Sequence, residues 1–164
     1  MNEQSEVRIR MSRLREFLSA LRGSLRLGKR EYSVCFVNDR KMRQYNRRYR
    51  GKDRSTDVLA FPWQDHGNGF PSAGKLSKQA GVSGYLGDIL ISAETARIQA
   101  RREGHGLEKE ICFLMLHGLL HLMGMDHEKD SGEMVRREHS LRRLLGLCGD
   151  GARETGARKR RVLR

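Results

Sequence analysis

HGLLHLMGMDH, residues 117–127, holds three of the chain's six histidines. His117 and His121 are four apart, a spacing that on an α-helix sets both rings on one face, one turn separated. A helix that ran on would carry the chain away from that face. Gly124 stands where a left-handed C-terminal cap is expected to turn the backbone, and His127 can then close on the same point. Three neutral imidazoles with an open fourth position is the arrangement of catalytic zinc, whereas closed structural sites use four protein ligands. The stretch therefore predicts a long apolar helix ending in a metal grip made by His117, His121 and His127. The competing reading, core histidines with satisfied ring nitrogens, fits poorly beside Leu119, Leu120, Leu122 and Met123, which offer no polar partner. Zinc suits the set, and so do other borderline ions such as nickel. His66, His105 and His139 fall in loops or on polar helix faces and are expected at the surface.

In zinc peptidases of the H-E-x-x-H type, a glutamate follows the first histidine and passes a proton from water to the leaving amine. Gly118 stands there in this chain and can do neither. Amide hydrolysis depends on that protonation, while phosphodiester cleavage has other routes, through metal-activated water or an internal ribose hydroxyl. Position 118 thus argues against a peptidase and is compatible with cleavage of RNA. Asp126, next to His127, is expected as the carboxylate that orients a ligand histidine or as a base; the first is the commoner role.

Working outward, the histidine helix is expected to start at Leu107. Before it, YLGDILIS (85–92) reads as a strand, and Ser92 can cap a helix from Ala93 to about Gly104 with Glu94 in its first turn. DVLAFPW (57–63) reads as a strand that Pro62 ends near a sheet edge. Residues 64–84, rich in Gly and Ser, read as a long loop. YSVCFVND (32–39) reads as a strand closed by an Asn-Asp turn, followed by a basic helix over 40–50. Leu14, Phe17, Leu18, Leu21 and Leu25 recur at helical spacing and predict a first helix closed by Gly28. A last helix over about 131–146 is expected to turn Met134, Leu141, Leu144 and Leu145 inward. One catalytic domain over 1–150, ordered from about 7 to 148, and a basic disordered tail over 151–164 complete the expected organisation.

The formal net charge of +13, from 33 Lys and Arg against 20 Asp and Glu, favours polyanionic partners. The excess is concentrated: residues 8–50 hold 14 basic against 3 acidic residues, and residues 153–164 hold 6 against 1. That distribution suits a track for an RNA backbone, with salt-dependent affinity. Cys35, Cys112 and Cys148 are far apart and form no C-x-x-C pair, so a disulfide framework or a cysteine zinc ribbon is not indicated. The opening MNEQSEVRIRMSRLREF lacks an apolar core of a secretory signal. ICFLMLHGLLHLMGM, at 15 residues with two histidines, is too short to span a bilayer. A cytoplasmic protein with no membrane partner is expected.

HGLLHLMGMDH, YRGKDRSTDVLAFP and LGDILIS, in register from about Tyr32 to Leu147, together resemble the bacterial YbeY family of metal-dependent, single-strand-specific endoribonucleases of ribosomal RNA maturation. The resemblance implies an α+β fold, with a small central mixed β-sheet packed with about five α-helices. It implies one zinc ion per chain, held in a cleft by His117, His121 and His127, with Arg50 beside it. It also implies a ribosomal RNA precursor as substrate, action at the 3′ end of the small-subunit RNA, a part in ribosome quality control, and the small ribosomal subunit as a partner. Three features depart from the family: Ala60 stands where Ser is common, the 64–84 loop is long, and the strand before the first helix is curtailed at residues 7–10. The residues themselves agree on Arg50, since a guanidinium at a helix end can clamp a phosphate and stabilise charge developing on phosphorus; the plainer reading is one more base on a basic helix. The catalytic set expected is Arg50, His117 and Asp126. Of Tyr45, Tyr49, Phe61 and Trp63, one or two can stack unpaired bases, and most are expected in the core. Two other readings stand beside the nuclease: a metallopeptidase with its base supplied elsewhere, and a non-enzymatic ribosome-assembly factor stabilised by metal.

Overall fold

A computed structural model of the chain describes residues 2–4, 7–63, 84–127 and 129–147. The expected 64–84 loop, except Gly84, lies outside the described residues, as do His66 and the 151–164 tail. The element order is α1 (Met11–Ser24), β1 (Glu31–Val37), α2 (Asp39–Arg50), β2 (Val58–Pro62), β3 (Tyr85–Ser92), α3 (Ala93–Arg102), α4 (Leu107–Leu122) and α5 (Glu133–Leu144). This is the expected α+β architecture.

β3 is the longest strand, and it takes the centre of a mixed sheet of order β1-β3-β2, parallel to β1 and antiparallel to β2. A strand buried on both faces needs an apolar side chain at successive positions, which Ile89, Leu90 and Ile91 supply. Alternation then sorts the sheet's two faces. Phe36, Val58, Ala60, Ile89 and Ile91 join the main core with α1 and α4, while Val37, Leu59, Phe61 and Leu90 meet Met42 of α2 in a smaller one. Pro62, which has no N–H to give, ends β2 on the sheet edge, paired with Gly87. Gly87 has φ +136°, and a Cβ there would lie 2.1 Å from the Phe61 carbonyl oxygen, so β2 can approach β3 this closely only at glycine.

α4 is buried on almost every side, from Glu110 through Leu120, as a helix apolar all round should be. It packs against β2, β3, α1, α3 and α5. Ser92 caps α3 as expected, its hydroxyl accepting from the Thr95 N–H at 3.2 Å.

Three expectations needed correction. Asn38 and Asp39 do not close β1 in a turn: the strand stops at Val37, and the Asn38 side chain accepts from the Lys41 N–H at 2.9 Å to cap α2. α1 ends at Ser24 rather than at Gly28, because Leu25 takes the C-cap and the following turn tucks Leu25 and Leu27 into the core. Leu144 is 71% exposed. Met134, Glu138 and Leu141 line the inward face of α5 instead, and Leu147, beyond the helix, fills the space that Leu144 was expected to fill.

Candidate metal centre

The end of α4 shows why the three histidines meet. Gly124, at φ +87°, donates its N–H to the His121 carbonyl at 3.0 Å, and Met125 donates to the Leu120 carbonyl at 3.1 Å. This pair of bonds is the Schellman closure that glycine permits. It reverses the chain and returns His127 to the helix end. The ring centroids of His117 and His121 lie 4.8 Å apart, and each lies 5.3 Å from that of His127. One nitrogen from each ring falls within 4.8 Å of the other two. His117 is buried, while His121 and His127 are half-buried, so the group opens towards solvent on one side.

The electrostatics suit a cation. Burial first, then the neighbouring His117 and His127, hold the His121 imidazole down to about 4, against the pull of Asp126 and a backbone hydrogen bond at Met125. His121 is therefore neutral at neutral pH, the state in which imidazole ligates a metal. The Nε2 atoms of His117 and His121 stand 3.1 Å apart, and His127 Nδ1 is buried with no hydrogen-bond partner. Crowded, poorly satisfied ring nitrogens are costly in a partly buried site, and a cation among them relieves that cost. The donor set, three imidazole nitrogens, is one that zinc and other borderline ions accept.

His117 is oriented by a residue that sequence reasoning missed. Its Nδ1 lies 3.1 Å from Glu138 Oε2, on α5, so Nε2 is the nitrogen that faces the other rings. The available signal was a carboxylate placed between Met134 and Leu141 on an otherwise apolar helix face. Asp126, expected in this role, is half-buried beside the cluster, with Oδ2 3.6 Å from Lys129 Nζ. Its charge acts on His121.

Gly118 faces the sheet. A Cβ there would come 2.8 Å from Ile89 Cγ2 and 3.3 Å from Cδ1 and Cγ1 of the same side chain. Position 118 is therefore a packing contact between α4 and β3, with no room for a glutamate while the sheet stays in place.

Arg50 is the last residue of α2, which Gly51 closes in the left-handed conformation. Its guanidinium Nη2 donates to the Ala60 carbonyl at 3.3 Å, which ties it to β2, a strand packed on the histidine helix. Arg50 is thus set apart from the exposed bases Arg40, Arg47 and Arg48 of the same helix. Phe61 is buried, and Tyr49 meets its edge at 5.3 Å while stacking on Tyr45 at 6.1 Å. Trp63 packs against Tyr85 at 5.8 Å. These aromatics serve the core and its margin. His139 is exposed as expected, while His105 is half-buried: its Nε2 lies 3.1 Å from the buried Glu110, and its ring meets Phe113.

The family model described as Endoribonuclease YbeY matches residues 1–146. A curated Endoribonuclease YbeY of Anaeromyxobacter sp. is 40% identical over 146 residues, covering 88% of this chain and 69% of that protein. The chain belongs to the YbeY family. It is accordingly an enzyme of the endoribonuclease class. The Endoribonuclease YbeY of Alkaliphilus metalliredigens is 44% identical over 119 residues, covering 71% of this chain and 72% of its own length. The solution structure of TM1509 from Thermotoga maritima matches with a TM-score of 0.57 at 24% identity, over 88% of this chain and 87% of that one, which is a likeness of fold. Within this YbeY chain, the three-histidine group that can hold a metal comes from α4 and the turn after it. Among the described residues, no helix is long and apolar enough to cross a membrane.

Proposed function

We propose that this chain is a zinc-dependent endoribonuclease that cuts single-stranded segments of ribosomal RNA precursors in the cytoplasm, in association with the small ribosomal subunit. The observation that carries the reading is the convergence of His117, His121 and His127 in a chain of the YbeY family. When bound, zinc supplies Lewis acidity towards a phosphoryl oxygen and lowers the pKa of water. Arg50, anchored at the Ala60 carbonyl, binds and orients the scissile phosphate and offsets the charge that develops there. Asp126, beside the ligand set, accepts the proton of the attacking hydroxyl. Gly118 carries no acid, so protonation of a leaving amine is unprovided for, which counts against a peptidase. Arg40, Arg47 and Arg48, exposed along α2, and the basic residues of 153–164 supply the field that draws the RNA backbone.

The test is metal content and RNA cleavage measured on one preparation, for the wild type and for Arg50→Ala. The expected outcome is about one metal per chain in both proteins, cleavage of single-stranded RNA by the wild type, and its loss in the variant by about a hundredfold or more. Metal in the wild type without cleavage of RNA at any salt concentration would move the reading to a metal-stabilised assembly factor.

A further inference from the structure

We propose that Glu138, held in place by Arg142, is a positioning residue that keeps the proton of His117 on Nδ1 and so leaves the Nε2 lone pair facing the histidine cluster, setting the affinity for metal from α5. The inference deepens the metal-site reading and rests on it.

Glu138 is 7% exposed and His117 4%. A carboxylate so buried is tolerable only when paired and hydrogen-bonded. Its two oxygens are divided between partners: Oε1 accepts from Arg142 Nη2, one helical turn on, and Oε2 lies 3.1 Å from His117 Nδ1. Arg142 is itself restrained, with its guanidinium 4.4 Å from the Phe113 ring centroid on α4. The row Phe113, Arg142, Glu138, His117 thus leaves α4, crosses to α5 and returns to α4 at the first histidine.

The direction of each hydrogen bond follows from the groups. Arginine has donors and no acceptor, and an ionised carboxylate has acceptors and no donor. His117 Nδ1 must therefore donate to Glu138. A neutral imidazole with its hydrogen on Nδ1 carries its lone pair on Nε2, the nitrogen 3.1 Å from His121 Nε2. The carboxylate and arginine together choose the tautomer that can ligate.

Glutamine at 138, nearly the same shape, should reverse that choice. Arg142 can only donate, so it would hold the amide oxygen and turn the NH2 towards His117. Facing a donor, Nδ1 must accept, and the ring hydrogen moves to Nε2, where it blocks the lone pair. Replacing Arg142 as well, by Met, which keeps an apolar contact with Phe113, frees the amide to turn its oxygen back to His117.

The experiment has two readouts on wild type, Glu138→Gln and the double variant Glu138→Gln with Arg142→Met. Imidazole ¹⁵N shifts of the metal-free proteins give the tautomer of His117, and competition for Zn2+ against a chromophoric chelator gives affinity. The expected result is the Nδ1–H tautomer in the wild type, Nε2–H in Glu138→Gln with affinity lower by about 10–100-fold, and return of Nδ1–H with recovery of most of that loss in the double variant. A merely structural role for Glu138 predicts no such recovery, because the double variant is the more heavily altered protein. Nε2–H in the wild type, or affinity in Glu138→Gln within about twofold of wild type, or a double variant no better than the single, would each overturn the proposal. Should the wild type show the Nδ1–H tautomer and bind no Zn2+, the metal reading fails and takes the affinity claim with it, while the assignment of the His117 proton stands.

Discussion

At residue 118 a single methyl group is already too large. The Cβ of Gly118→Ala would sit 2.8 Å from Ile89 Cγ2 on a central strand that cannot withdraw without disturbing both of its neighbours. Overpacking of this kind costs about 1–3 kcal/mol. Ile89→Ala alone opens a cavity and costs about 2–5 kcal/mol. The pair should cost less than the sum, by about 0.5–3 kcal/mol, as read by urea unfolding of all four proteins; strict additivity would mean that helix and strand part freely here. The sequence showed that Gly118 cannot act as a base. It did not show why glycine is needed, since that depends on which β3 side chain meets α4. Arg50 divides in the same way: its chemistry was legible from residue type, whereas its anchorage at the Ala60 carbonyl depends on the meeting of α2 with β2.

The end of α4 is the element on which the site depends. Nothing lies within 4 Å of a Cβ added at Gly124, so a substitution there meets only the backbone cost of φ +87°. Gly124→Ala should therefore lose about 1–2 kcal/mol of stability and weaken metal binding, because His127 no longer returns to the helix end; Gly124→Asn should do less of both. Thermal melts and metal titration of the two variants check this, and unchanged affinity in Gly124→Ala would separate the turn from the site. This element was the most legible part of the chain, because helical spacing and a turn glycine are local signals. Glu138 was not legible, since its partner lies 21 residues away on another helix. Leu144 was misplaced because its spacing from Leu141 suits an inward face, yet the helix ends there and Leu147 reaches the core instead.

For the molecule as a whole, the sheet and helices follow from patterns the sequence displays, while the ties between distant segments do not. Arg10, before α1, and Glu108, in the first turn of α4, form one such tie at 2.8 Å. Hydrogen bonding to Arg10 is the main cause that lowers the Glu108 carboxyl from 4.5 to about 2. A carboxyl held below its unfolded value adds stability above that value and loses it on acidification. Wild-type stability should therefore fall as pH drops from about 4.5 towards 2, and Arg10→Ala should flatten that part of the curve while Glu108 titrates nearer its ordinary value. Urea unfolding across this range and carboxyl NMR titration are the checks, and identical curves for the two proteins would refute the linkage.

The junction between β2 and β3 has a consequence for length variation. Pro62 pairs with Gly87, the Trp63 N–H donates to the Leu86 carbonyl at 2.9 Å, and the Gly84 carbonyl accepts from Glu31 at 3.1 Å. Both chain ends flanking residues 64–83 are thus tied by the sheet itself. Once ends are tied, doubling the chain between them adds only about 0.6 kcal/mol of closure entropy. The sheet is in effect indifferent to the text inserted at this point, and lineages can lengthen, shorten or rewrite it without touching the helix that carries His117 and His121.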